Sequence, residues 1–310
     1  MRFPKFFDSK HSLKLYGLNN YFTFLVSLYS NKKLPKVLLL SGEKGIGKST
    51  LVNHFLFSIF DNKYDFKNFT FSELSKIYKE FKENVFSNII YLSGSDFKTV
   101  KVEDIRNLKT KILQSTILNM DRFVILDDVE LFNLNSLNAL LKLIEEPGKK
   151  NYFILINNKS KPLIETIKSR SLEIKIILNE KQKKEIIHKL IKHFKVELSL
   201  DPDKSQLSPG NFLKFNYICK ENDISLSNDF VKNLTLLLNL YKKNKDILFI
   251  NLAFFLADFY FKDLKNNKIF TNEKIYDTKN FVFENLNNYL IYNINQNAFI
   301  NAINNKLNYE

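Results

Sequence analysis

Short apolar runs alternate with helical patterns along the first 177 residues. Each run is bounded by polar residues and is apolar enough for burial on both of its faces, which is typical of strands in a parallel sheet covered by helices. We therefore predict an α/β domain over residues 1–177. The predicted strands cover residues 37–41, 89–92, 123–126, 152–156 and 172–177.

The pattern becomes helical after residue 177. Apolar residues recur at helical spacing in residues 181–194, a basic amphipathic stretch, and again in residues 211–219. Residues 223–228 are predicted to be a linker, and the chain beyond them is helical and contains neither Pro nor Gly. We predict a small helical lid domain over residues 178–222 and an all-helical C-terminal domain over residues 223–310.

A phosphate-binding loop follows the first predicted strand. Residues 42–50 read Gly-Glu-Lys-Gly-Ile-Gly-Lys-Ser-Thr, which matches the pattern G-x-x-x-x-G-K-[ST] ahead of an amphipathic helical stretch. Glycines allow the backbone to wrap a phosphate, and the N–H groups at the helix start face the anion. Lys48 is predicted to reach the β- and γ-phosphates of ATP. The predicted nucleotide-binding residues of the loop are Gly42, Gly45, Gly47, Lys48, Ser49 and Thr50.

Two carboxylates follow the third predicted strand. Asp127 and Asp128 come directly after the apolar residues 123–126. An Asp at the end of such a strand typically holds the Mg²⁺ of a bound nucleotide, together with the hydroxyl of the phosphate loop. Asp127 and Ser49 are therefore predicted to bind Mg²⁺ through ATP or ADP. The loop alone does not distinguish a site that hydrolyses ATP from one that only binds nucleotide.

The chain is strongly basic. Its net charge of +14 and pI near 9.4 favour contact with nucleic acid or another polyanion. The lysines are spread along the chain, however, and Lys, Asn, Ile and Phe are abundant throughout, as expected when a genome favours A·T-rich codons. Charge alone therefore leaves nucleic-acid contact open.

Other features of the composition exclude several classes of site. Cys219 is the single cysteine, so neither an intramolecular disulfide nor a cysteine-rich zinc site can form, and the four histidines show no metal-binding spacing. The N-terminal residues lack the apolar core of a signal peptide, and the most apolar window, residues 247–261, is too short to span a bilayer. We expect a cytoplasmic protein without membrane contact.

The helix predicted over residues 133–146 leads to a family resemblance. Residues 137–147 read Leu-Asn-Ala-Leu-Leu-Lys-Leu-Ile-Glu-Glu-Pro, which resembles the N-A-L-L-K-x-x-E-E-P signature of the clamp-loader ATPases of the AAA+ class. Three more segments resemble motifs of that family. They are the V-x-x-I-R segment at residues 102–106, the sensor-1 strand at residues 153–158 and the T-I-x-S-R-C motif at residues 166–171.

The resemblance implies an AAA+ phosphate-loop domain over residues 1–177, with a lid and a helical collar after it. Asn158 stands in the sensor position beside the nucleotide, and Arg170 stands where the family has an arginine that completes a neighbouring subunit's ATP site in trans. Residues 34–42 and 207–211 resemble the lead-in and the G-S-P-G motif of the delta-prime branch.

Four departures from the family pattern bear on activity. Asp128 stands where an active motor subunit carries the glutamate that orients the attacking water, and Gly210 stands where motors carry a lid arginine. The shorter side chain of Asp places its carboxylate differently. Ser171 replaces a cysteine, and residues 61–88, where the family commonly has a zinc module, form a Lys/Phe-rich polar stretch. We expect no zinc site.

Three functions remain open at this point. The resemblance favours a delta-prime-like subunit with weak or no ATPase activity of its own. It would organise a hetero-pentamer with tau/gamma-like motors and delta, and this DNA polymerase III component would load the sliding clamp onto primer-template DNA in replication. The alternative is an ATP-hydrolysing motor, either tau/gamma-like or similar to a replication-factor-C small subunit. An unrelated phosphate-loop kinase or helicase would leave residues 137–147 and 166–171 unexplained.

Overall fold

The computed structural model describes residues 3–94, 100–113, 120–226, 229–266, 271–292 and 294–308. They form two compact units. The first contains Phe3–Phe194 and Leu207–Asn211, and the second contains Lys195–Gln206 and the residues from Phe212 onwards. The three-domain division with boundaries at residues 177 and 222 stays a prediction.

The first unit is built on a parallel five-stranded sheet. Its strands lie in the order β2-β3-β4-β1-β5, and every neighbouring pair is parallel. The predicted α/β fold of the AAA+ phosphate-loop type is thereby confirmed, and each predicted strand is present within two residues of its expected ends. The strands are β1 Val37–Ser41, β2 Ile89–Ser93, β3 Arg122–Asp127, β4 Asn151–Asn157 and β5 Leu172–Lys175.

Both faces of the sheet are covered by helices, because the central strands are apolar on both faces except at their ends. In β1, Leu38 and Leu40 pack into the core on one face, whereas Val37 and Leu39 pack into the core on the other. Strands β1 and β3 are buried along their whole length. The helices of this unit are α1 Asn19–Ser30, α2 Lys48–Phe60, α3 Lys76–Lys82, α4 Val102–Leu113, α5 Leu134–Glu145, α6 Glu165–Lys168 and α7 Glu180–Phe194.

The two edge strands differ from the prediction, β5 more than β2, which is half-buried at four of its five positions. We expected all five to be buried on both faces, but β5 is mostly exposed, and Leu172 keeps 52% of its surface accessible. Strand β5 is at the edge of the sheet and pairs only with β1. The expectation was wrong for β5 because an edge strand has a neighbour on one side only, so helices need not cover it.

Residues 61–88 form part of the core rather than a polar stretch. Their aromatic rings pack on α2, where Phe57 lies 4.2 Å from Phe71 and 5.2 Å from Phe81 between ring centroids. The expectation of a polar segment was wrong because the segment has two sides. Most of its aromatic residues pack into the core, and the lysines between them face solvent. The buried aromatic residues of this segment are Tyr64, Phe71, Tyr78, Phe81 and Phe86. In the described part of the chain, no group of three or more His, Cys, Asp or Glu side chains is placed to hold a metal ion.

The second unit is helical. Helix α9 begins at a capping Asp229, whose side chain accepts a hydrogen bond from the backbone of Val231 at 2.7 Å. Apolar side chains such as Leu237, Leu256 and Leu286 are buried between the helices. None of the helices in the described ranges combines the length and apolarity needed to cross a membrane. The helices are α8 Pro209–Glu221, which begins in the first unit, α9 Phe230–Asn244, α10 Leu248–Asn266, α11 Asn272–Tyr292 and α12 Gln296–Asn308.

Candidate nucleotide-binding site

The phosphate loop connects the end of β1 to the start of α2. Gly45 and Gly47 have φ angles of +87° and +97°, a left-handed backbone conformation that residues other than glycine rarely adopt. These two turns bring the chain back so that α2 begins at Lys48. Gly42 is buried at the start of the loop, and Thr50 is half-buried in the first turn of the helix. The predicted loop residues therefore lie in one continuous turn at the carboxyl edge of the sheet.

Lys48 is held inside the loop. Its ammonium donates hydrogen bonds to the carbonyl oxygens of Gly42 and Glu43, both at 2.8 Å, and the residue is only 3% exposed. Burial lowers the pKa of Lys48 to about 8, although nearby carboxylates, with that of Asp127 foremost, act in the opposite direction. A phosphate placed in the loop would exchange these carbonyl contacts for a contact with an anion.

Ser49 and Asp127 lie in direct contact. The Ser49 hydroxyl donates to Asp127 Oδ2 at 2.6 Å, and the Tyr91 hydroxyl donates to the same oxygen. Burial raises the pKa of Asp127, and the hydrogen bonds from Ser49 and Tyr91 act against that rise. A hydroxyl and a carboxylate oxygen are the ligands that Mg²⁺ takes when it is bound together with a nucleotide. The pair therefore fits the predicted role.

Asn158 joins the ends of β3 and β4. Its side-chain nitrogen donates to Asp128 Oδ1 at 2.8 Å and lies 3.5 Å from Asp127 Oδ1. Its backbone N–H donates to Glu130 Oε1 at 3.1 Å, so a buried carboxylate fixes the turn on which Asn158 stands. The sensor candidate thus contacts both acidic residues at the end of β3, Asp127 and Asp128.

Asp128 is a buried and constrained residue. Its backbone is left-handed, with φ of 50°, which is uncommon for a residue other than glycine. Besides the contact with Asn158, its carboxylate faces the ammonium of Lys44, with 3.5 Å between Oδ1 and Nζ. The carboxylate of Asp128 is thus held by the Asn158 amide and by a lysine of the phosphate loop.

The segment from Leu207 to Asn211 packs on the phosphate loop. The hydroxyl of Ser208 donates to the carbonyl of Lys44 at 2.6 Å, and the backbone N–H of Gly210 donates to the carbonyl of Gly45 at 2.8 Å. A Cβ at position 210 would lie 2.9 Å from the Gly45 oxygen. The contact is therefore too close for any side chain at that position without a shift of the backbone.

Helix α7 contacts the loop through an ion pair. Lys183 lies 2.8 Å from Glu43 and 3.1 Å from Glu180 between its Nζ and their carboxylate oxygens. Burial acts to lower the pKa of Lys183, but the hydrogen bonds to the two carboxylates outweigh it and the pKa is raised. Nothing in the sequence around Glu43 indicates this partner, because the pairing depends on how α7 lies against the sheet.

Arg170 lies apart from these contacts, directly after α6. Its Nε donates to Glu145 Oε1 at 2.7 Å, and Nη1 donates to the carbonyl of Thr166 at 3.2 Å. The side chain is 38% exposed. Among the described residues, its hydrogen bonds and ion pair involve only α5, α6 and the turn after α6. The structure therefore brings the other predicted site residues together and leaves Arg170 outside that cluster.

Comparisons with known proteins give the family. Residues 17–180 match the family model described as DNA polymerase III, delta subunit. The chain is 28% identical over 220 residues to the gamma subunit of DNA polymerase III from Buchnera aphidicola subsp. Acyrthosiphon pisum, covering 68% of this chain and 58% of that protein. It is 28% identical over 149 residues to a delta-prime subunit from Buchnera aphidicola subsp. Baizongia pistaciae, covering 46% of this chain and 44% of that protein.

A solved structure of a DNA polymerase III gamma subunit-related protein from Thermotoga maritima aligns with a TM-score of 0.46 and 17% identity, covering 90% of this chain and 96% of that one. The chain spans about half the length of the curated relatives described above, with 58% and 44% covered. The family match over residues 17–180 covers more than half of the chain. This chain therefore belongs to the family described as DNA polymerase III, delta subunit, which is the delta-prime family of the clamp loader.

Proposed function

We propose that this chain acts as the delta-prime subunit of a clamp loader, in a ring with tau/gamma-like motors and delta. The ring loads the sliding clamp onto primer-template DNA during replication. The observation that carries the proposal is the state of Asp128. A carboxylate that is one methylene shorter than glutamate and held by Asn158 and Lys44 is poorly placed to orient an attacking water.

Nucleotide binding by the loop is the second part of the proposal. ATP or ADP with Mg²⁺ would be held by the backbone of the loop from Gly42 to Thr50, with Lys48 on the phosphates and Ser49 and Asp127 on the metal. When bound, Mg²⁺ neutralises charge between the phosphates. Binding is weak in this proposal, because Lys48 must leave two carbonyl oxygens at 2.8 Å and Ser49 must leave Asp127.

The third part of the proposal concerns Arg170, which acts on ATP held by an adjacent motor subunit. Its guanidinium is partly exposed, and among the described residues Glu145 is the one carboxylate that pairs with it, beside hydrogen bonds to Thr166 and Ser169. A surface ion pair contributes only about 0–1 kcal/mol, so exchanging it for a phosphate of a neighbouring site is inexpensive. An arginine supplied across an interface stabilises charge on the transferring phosphoryl group and accelerates the reaction by about 10³–10⁵ in well-studied cases.

An ATP-hydrolysing motor is the second candidate function. The complete phosphate loop and the contact between Ser49 and Asp127 favour it. Against it stands Gly210, whose backbone lies on Gly45 where motors carry the lid arginine. A side chain there would meet the Gly45 carbonyl at 2.9 Å. We therefore favour the delta-prime role.

Steady-state ATP turnover separates the two candidates. The full-length chain is assayed alone, then with motor and delta subunits from the same organism, with clamp and primed DNA present. We expect turnover at background level for the chain alone, and a higher turnover for the complete mixture than for the mixture without this chain. Turnover by the chain alone at the rate of a motor subunit would favour the second candidate.

A further inference from the structure

Lys44 occupies an unusual position in the phosphate loop. Its carbonyl oxygen accepts hydrogen bonds from Ser208 at 2.6 Å and from Asn211 at 3.4 Å, so its backbone is fixed. Its side chain is nearly half exposed, yet its ammonium faces the buried carboxylate of Asp128 at 3.5 Å. A fixed backbone with a partly solvated ammonium allows the charge to move by side-chain rotation alone.

The contacts of Asp128 show which end of a nucleotide this ammonium would meet. The Ser49 hydroxyl and Asp127 Oδ2, which are 2.6 Å apart, would hold Mg²⁺, which would neutralise charge on the β- and γ-phosphates. Asn158 links Asp127 to Asp128, and Asp128 in turn faces Lys44. This chain of neighbours places the Lys44 ammonium at the γ-phosphate end of the site.

At the γ-phosphate end of the site, a bound phosphate and the carboxylate of Asp128 would place two negative charges side by side, so a second cation in addition to Lys48 would stabilise them. A γ-phosphate beside the carboxylate of Asp128 would be repelled by it. The segment from Leu207 to Asn211, with glycine at position 210, contributes no positive side chain there. Apart from Lys48, which is buried deeper in the loop, Lys44 is the loop's other positive side chain. Its ammonium is close enough to Asp128 to offset that repulsion.

We propose that Lys44 senses the γ-phosphate and so determines the preference of this site for ATP over ADP. In the structure the ammonium pairs with Asp128. When ATP is bound, Lys44 moves from Asp128 to the γ-phosphate, whereas with ADP the pair stays intact. The inference rests on the proposed binding of nucleotide by this loop, and it adds a residue that discriminates between the two nucleotides.

The test is equilibrium binding to the full-length chain with Mg²⁺, using ADP and a non-hydrolysable ATP analogue. For Lys44→Ala we expect about tenfold weaker binding of the ATP analogue, which corresponds to about 1.4 kcal/mol, and less than a twofold change for ADP. Lys44→Arg should retain the preference. Lys161→Ala, which removes an exposed lysine beyond β4, is the matched control for loss of one charge and should change neither affinity.

Asp128→Asn gives a prediction of opposite sign. Removing the competing carboxylate frees Lys44 and reduces repulsion, so the ATP analogue should bind several-fold more tightly while ADP is unaffected. Equal weakening of both nucleotides by Lys44→Ala, or no weakening, would overturn the role of Lys44 and leave nucleotide binding standing. Absence of any binding to the wild-type chain would instead refute nucleotide binding itself, and the role of Lys44 with it.

Discussion

Two lysines of the phosphate loop are held in different ways. Lys48 is buried and contacts backbone carbonyl oxygens, which cannot change their charge, so its position depends on the fold of the loop. Lys44 is half exposed and contacts the carboxylate of Asp128. The position of Lys48 suits binding of any nucleotide phosphate, whereas the ion pair of Lys44 responds to a charge that is placed beside it.

His54 gives a prediction about the pH dependence of stability. Its Nε2–H donates to the carbonyl of Ser12 at 2.9 Å, and in the neutral ring, which burial favours, its Nδ1 accepts from the Tyr64 hydroxyl at 3.0 Å. Burial lowers the pKa of His54 to about 4 from its usual 6.5. Between pH 4 and pH 6.5 the unfolded chain binds a proton that the folded chain excludes. The contribution of the neutral His54 ring to the free energy of unfolding is therefore complete above pH 6.5 and is lost as the pH falls towards 4.

We expect the His54 contribution to the free energy of unfolding to fall by about 3 kcal/mol over this range. Urea unfolding at several pH values measures it. His54→Asn serves as the control, because that variant keeps the acid sensitivity of the carboxylates and lacks the histidine step. Equal pH dependence in the two proteins would contradict the prediction.

The residue types and spacings of the phosphate loop predicted part of the site. Ser49 and Asp127 were expected to lie together because both follow buried strands of one parallel sheet, and they do. The hydroxyl of Tyr91 on Asp127 was not foreseen, since an aromatic residue inside a strand looks like core. The pairing of Lys183 with Glu43 was also missed, because it depends on the approach of α7, which periodicity does not encode.

At the scale of elements, the start of α8 and the phosphate loop depend on each other. The hydrogen bond from Gly210 to the Gly45 carbonyl requires two backbones in contact, and both positions are glycine. The strands β1 to β4 could be predicted, since their apolar runs are continuous. The exposure of β5 could not be predicted, because a run such as Leu172–Lys175 does not reveal whether it lies at an edge.

Gly210→Ala tests this contact. Replacing an unstrained glycine by alanine usually stabilises a protein by about 0.4–1 kcal/mol. Here the added Cβ would lie 2.9 Å from a backbone oxygen, so we expect a loss of about 1–3 kcal/mol. The measurement is the free energy of unfolding in urea. Ser208→Ala, which removes only a hydrogen bond to Lys44, should cost about 1 kcal/mol, and a stabilised Gly210→Ala protein would contradict the close contact.

At the scale of the whole molecule, assembly is the property that the proposed function requires. The C-terminal helices present apolar side chains to solvent, and at the end of α11 Ile291 and Tyr292 keep 69% and 71% of their surface exposed. Contiguous exposed apolar patches mark surfaces that contact another protein, and Ile291 and Tyr292 are our candidates for part of such a patch. We propose that the helical C-terminal region holds the chain in the ring.

The double substitution of Ile291 and Tyr292 by Asp tests that role in the full-length chain. We expect at least tenfold less co-purification with motor and delta subunits, because two buried charges would replace apolar contacts at the interface. Leu74→Asp, at a position that is 82% exposed in the first unit, is the control and should co-purify as the wild type does. Unchanged co-purification of the double variant would remove this surface from the proposal.

In the proposed ring, this chain makes its catalytic contribution at a neighbour's ATP site rather than at its own loop. ATP turnover of the reconstituted loader on primed DNA tests it directly, with Lys48→Ala, Arg170→Ala and the control Lys168→Ala. Lys168 has the same exposure as Arg170 and forms a similar ion pair, with Glu165 at 2.7 Å. We predict a loss of at least tenfold for Arg170→Ala and little change for the other two. Unchanged turnover with Arg170→Ala would contradict a catalytic role of Arg170 at the neighbouring site, and a large loss with Lys48→Ala would place a catalytic contribution at this chain's own loop.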